Sequence, residues 1–145
     1  MKSTFRTIAA VLAGLFGGGA LNMEIVMISE RVIPSPKGVD ATTLEGLAKG
    51  MNLMEPKHFL MPFLAHALGT MLGAFIATMI SKNHLRAAMS VGVIFLVGGV
   101  SAVYMLPSPL WFSVTDLTLA YLPMAWIGYK MATNFTKKAN SSTSA

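Results

Sequence analysis

Ala87-Ala-Met-Ser-Val-Gly-Val-Ile-Phe-Leu-Val-Gly-Gly-Val-Ser-Ala-Val-Tyr-Met-Leu106 is a run of twenty residues without a charge. A helix needs about 20 mainly apolar residues to cross about 30 Å of hydrocarbon, so this stretch reads as a membrane span. It shows none of the period-two alternation of a barrel strand. Three further stretches qualify on either side of it. One covers residues 5–28 and is interrupted by Asn22 and Glu24. The next covers 58–80 and contains His66. The last covers 114–132, with Asp116 near its start and Pro123 inside. The fold class this predicts is all-α. The chain reads as a polytopic membrane protein, a four-transmembrane-helix bundle forming one membrane domain over residues 1–134, followed by a polar C-terminal tail over 135–145.

Composition points the same way. Of 145 residues, 54% are hydrophobic and only 12% charged, about half the charged share of a soluble domain. The chain has no cysteine, which excludes a disulfide-stapled scaffold and a thiolate metal site. Its net charge of +5 would suit nucleic acid if the basic residues clustered. Instead they sit at the ends of apolar runs and form no nucleic-acid patch. Lys2, Arg6, Lys82, Arg86, Lys130, Lys137 and Lys138 share one side of the bundle with no acid among them. On the other side, the loop over 29–57 sums to zero charge. The positive-inside rule then puts both termini in the cytoplasm of a multi-pass inner-membrane protein. The first span reads as a retained signal anchor, because its apolar run outlasts any cleavage point.

The loop after the first span carries its own signal. Pro34-Ser-Pro36 and Gly38 make a turn, and Thr42-Thr-Leu-Glu45 reads as a capping box. Leu44, Leu47, Ala48, Met51 and Met54 then fall on one helical face. A short amphipathic outer helix over 43–53 is expected between spans 1 and 2, resting on the membrane surface or covering the mouth of the bundle.

Ionisable groups inside spans are costly and need a reason. On a helical projection Ala13, Gly17 and Ala20 lie within about 40° of Glu24, and Gly69, Gly73 and Ala77 lie within about 60° of His66. Small-residue stripes let helices approach closely in lipid. The two stripes are therefore expected to pack, bringing Glu24 and His66 face to face roughly 6 and 12 Å from the outer ends of their spans. Asn22, about 160° from Glu24, is expected to face elsewhere.

Three functional readings follow. In the first, Glu24 and His66, with Asp116 and His58 on the same outer half, form an outward-facing proton- or cation-binding site in a transport or channel-like protein. In the second, the same groups only fix packing in a non-catalytic scaffold or accessory subunit. In the third, His58, His66, Glu24 and Asp116 serve a membrane metal enzyme. His58 and His66 are eight residues apart, which is not the tight spacing of helical metal motifs. Met51 and Met54 near His58 add soft donors of the kind Cu(I) prefers, although methionine is an ordinary packing residue. The chain lacks a phosphate-binding Gly-x-x-x-x-Gly-Lys-Ser/Thr loop, a His-Glu-x-x-His motif and a Gly-x-Ser-x-Gly elbow. The expected partners are the lipid bilayer and further copies of the chain or a larger membrane complex.

Overall fold

The computed structural model describes residues 2–82 and 84–143. Among these residues there is no strand, and six α-helices follow one another: α1 (Lys2–Val32), α2 (Leu44–Gly50), α3 (Leu60–Ile80), α4 (His84–Met105), α5 (Leu110–Leu119) and α6 (Leu122–Thr143). Four segments are long and apolar enough to cross a membrane: Ser3–Val32, Pro56–Ile80, His84–Met105 and Leu110–Ser142. The protein is an all-α four-helix bundle of the multi-pass membrane type.

The fourth crossing is two helices in line. Pro123 has no N–H to offer the Leu119 carbonyl, and the helix breaks there. α5 ends at Leu119, Ala120 and Tyr121 form a turn, and α6 begins at Leu122. At the far end, the tail that begins at residue 135 stays in α6 as far as Thr143, rather than fraying as its polarity suggests. No Gly or Pro follows Gly128 to stop it, and the last two residues of that tail lie outside those described.

Helix α3 is the hub, with α1, α4, α5 and α6 all packing on it. The α1–α3 seam is backbone against backbone. A Cβ added at Gly69 would lie 2.8 Å from the Gly18 carbonyl oxygen, and one at Gly73 would lie 2.7 Å from that of Gly14. Ala10, Ala65 and Ala77 are wholly buried in the bundle. The α3 half of this seam is the expected stripe of Gly69, Gly73 and Ala77. The α1 half is not. Ala10, Gly14, Gly18 and Ile25 are buried, whereas Ala13 and Gly17 are half-buried and Ala20 is exposed. The helix is turned by about one residue, 100°. The small-residue run of α1 offers two adjacent stripes, and only the Gly14–Gly18 stripe sets two glycines opposite Gly69 and Gly73.

At the end of the bundle carrying both termini, polar groups close α3. Arg6 Nε donates to the Ile80 carbonyl at 2.6 Å, and His84 Nδ1 lies 2.7 Å from the Thr78 carbonyl. A cation such as Arg6 near a helix C-terminus suits both its free carbonyls and its dipole. At the other end the expected short helix forms as α2, and residues 51–53 continue it as a 3-10 turn. Its cap differs from the expected box by one residue. Thr43 accepts from the Gly46 N–H at 3.0 Å, while the Thr42 hydroxyl is taken by Asp40. Glu45 pairs with Lys49 instead.

Candidate functional site

Two elements bring the site together. α3 carries His66 about ten residues into its crossing, roughly 15 Å from the Pro56 end. α5 carries Asp116 about 9 Å from the Leu110 end. His66 Nδ1 lies 3.0 and 2.9 Å from the two carboxylate oxygens of Asp116. Tyr121 donates its hydroxyl to Asp116 Oδ2 at 3.0 Å, and its ring stacks on the imidazole with centroids 5.7 Å apart. Asp116 is only 3% exposed, so its charge depends on these partners.

The break in the fourth crossing makes this geometry. In an unbroken helix, residues five apart point about 140° away from each other. The turn at Ala120 and Tyr121 removes that constraint and lets the phenol reach back to the carboxylate. Gly99 in α4 makes room for it, because a side chain there would collide with the Tyr121 hydroxyl.

The expected pairing of Glu24 with His66 is not formed. Glu24 is exposed on α1, and among the described residues it makes no hydrogen bond or ion pair. The rotation of α1 that brings Gly14 and Gly18 onto α3 swings Glu24 outward and brings Asn22 to the inner face. Asp116, read as lying at the edge of its span, sits deeper because α5 starts at Leu110 rather than Val114.

Two cavities flank His66. One, of about 230 Å³, is lined by Asn22, His66, Thr70, Phe95, Gly98 and Tyr121, among others. The Asn22 Oδ1 and Thr70 Oγ1 atoms are buried there without a hydrogen-bond partner. The other, of about 240 Å³, lies towards α2 and is almost wholly apolar. Leu47, Met51 and Met54 roof it, His58 and Phe112 lie on its walls, and His66 and Asp116 also border it. The cavities share His66, Gly99 and Ala102 as a common wall. Among the described residues, no lysine or arginine lines either.

His58 itself is engaged locally. Its Nδ1 accepts from the Glu55 N–H at 2.9 Å, which leaves the proton of the neutral ring on Nε2. Among the described residues no three His, Cys, Asp or Glu side chains are grouped closely enough to hold a metal ion. Met51 and Met54 serve as apolar cover for the cavity under α2.

Asn22, Thr70 and Tyr121 were not singled out from the sequence as members of this site. Thr70 had a legible signal, since it lies four residues after His66 and shares its helical face. Tyr121 had none, because its approach to Asp116 depends on the helix break. Compared with known proteins, the chain matches no protein-family model, no curated protein and no solved structure.

Proposed function

We propose that this small membrane protein handles protons or small cations through His66, with Asp116 as the group that orients and charges it. The observation supporting this reading is the contact of His66 Nδ1 with both Asp116 oxygens, at membrane depth and beside two cavities. An ionised Asp116 accepts the Nδ1 proton, which leaves the Nε2 lone pair free on the opposite edge of the neutral ring. Protonation at Nε2 yields an imidazolium beside a carboxylate, a neutral pair, and on release of the proton the carboxylate keeps its hydrogen bonds to His66 Nδ1 and the Tyr121 hydroxyl. By the positive-inside rule, the basic residues at the end with both termini support a cytoplasmic placement of that end. The α2 end then faces outward, and the apolar cavity under α2 is the outer approach to His66. Glu24, exposed on α1, supports association with a second copy of the chain rather than a role at this centre.

Reconstituted vesicles with an internal pH dye test the proposal. The wild type is expected to pass protons under an imposed potential, and His66→Ala and Asp116→Asn are expected to lower that flux at least tenfold. An inactive wild type, or variants that match it, would overturn the reading. The scaffold alternative would then hold, and one observation already favours it: Asp116 ties α5 to α3 and is fully partnered. A buried, satisfied polar cluster of this kind fixes helix register without any turnover.

A further inference from the structure

The inner cavity indicates what else this centre binds. We infer that it takes the head of a small primary ammonium ion, with an alkyl tail in the apolar cavity under α2. The inference deepens the proton- and cation-handling reading and rests on it.

The chemistry of the walls carries the argument. Neutral His66, donating from Nδ1 to Asp116, offers Nε2 as an acceptor. Thr70 Oγ1 and Asn22 Oδ1 are buried without partners. Thr70 is 1% exposed, and a hydroxyl buried in that way costs stability unless something satisfies it. A ligand that suits this set brings several N–H donors. It is also cationic, because the Asp116 carboxylate stands behind the imidazole and, among the described residues, no lysine or arginine lines either cavity. An anion would find no partner there. The rings of Phe95 and Tyr121 border the same space, and aromatic rings attract cations. The neighbouring cavity shares the wall at His66, Gly99 and Ala102, and its lining is apolar. A tail of a few methylenes reaching past those three residues would enter a space roofed by Leu47, Met51 and Met54.

Binding of this ion opposes protonation of His66, because imidazolium offers no acceptor and repels the head. The titratable groups facing the imidazole are Asp116 from α5, Tyr121 from the break before α6, and His58 across the outer cavity. Among the described residues, α1 presents Asn22 and α4 presents Phe95, Gly98, Gly99 and Ala102, none of which titrates. Affinity should therefore fall as His66 takes up a proton, and the protein would exchange one cation for the other.

Titration calorimetry on the full chain in detergent, with n-butylammonium as the probe, tests this. Tetramethylammonium, which has charge but no N–H, and n-butanol, which has the tail but no charge, are expected to bind at least tenfold more weakly. Thr70→Val and Asn22→Leu are each expected to weaken n-butylammonium at least fivefold. Equal binding of n-butanol, or affinity unchanged in both variants, would show mere partition into the apolar cavity or the micelle and overturn the inference. Absence of n-butylammonium binding also overturns it. Vesicle proton flux measured without amine reads the proposed function separately, so the loss of one can be told from the loss of the other.

Discussion

The two halves of this bundle use small residues for opposite ends. Towards the termini, Gly14 and Gly18 press against Gly73 and Gly69, with Val91 and Phe95 of α4 plugging the crossing. Towards α2, Gly98 and Gly99 line a cavity beside the His66 ring. A Cβ at Gly73 would meet backbone, whereas one at Gly98 would meet nothing within 4 Å. The same residue type closes a dry seam in one half and opens a polar space in the other. What differs is the opposing surface, which is another glycine in the first case and an aromatic ring or empty volume in the second. Helix packing in lipid gains little from hydrophobic burial and depends on close contact. The closed half supplies that contact and so frees the open half to hold a costly carboxylate.

The largest expected effect separates the halves directly. Gly73→Leu forces a side chain onto the Gly14 carbonyl, and overpacking of this kind costs about 1–3 kcal/mol or more. Loss of a folded, monodisperse protein in detergent is the expected result. Gly98→Ala is expected to leave the melting temperature equal or higher, since alanine favours the helix by about 1 kcal/mol over glycine. Equal tolerance at both positions would remove the contrast.

A smaller effect sharpens the account of the open half. Tyr121→Phe removes one donor from a buried carboxylate, and hydrogen bonds to charged groups are worth about 1.5–3 kcal/mol. A lowered melting temperature with an intact fold is expected, together with an altered pH dependence of vesicle flux. If neither changes, the phenol is only filling space.

The smallest effect concerns the cover of the open half. Hydrogen bonds from Thr42, first its hydroxyl and then its N–H, hold the Asp40 carboxyl below the ordinary value of 3.8. A depressed folded-state pKa stabilises above the ordinary value and is lost as pH falls through the lower one. Protection of the α2 amides against hydrogen exchange, relative to the intrinsic rate at each pH, should therefore fall at acid pH below that value, while the amides of α3 stay protected. An unchanged α2 would detach Asp40 from the order of the cover.

Much of this was legible in the sequence, and the exceptions share a cause. The four crossings, the outer helix and the stripe of Gly69, Gly73 and Ala77 follow from runs and spacings along one helix. The stripe on α1 was ambiguous, because Ala13–Gly17–Ala20 and Ala10–Gly14–Gly18 are both small. Only the opposing helix chooses between them. That choice decided whether Glu24 or Asn22 met His66. Asp116 was noticed, but its depth was set by Pro107 and Pro109, which let α5 start at Leu110. Tyr121 was hidden because projection onto a regular helix turns it away from Asp116. Information internal to one helix was readable; information about which faces meet, or where a helix stops being regular, was not.

Helix α3 carries Gly69 and Gly73 on the turns that follow His66. The imidazole thus inherits its position from main-chain contact three residues away, while Asp116 and Tyr121 hold the ring itself. Rotating α3 to redirect the ring would unmake the seam with α1. Substitutions that leave the seam intact can therefore change only what lies around the ring, above all Gly98, Ala102 and Thr70.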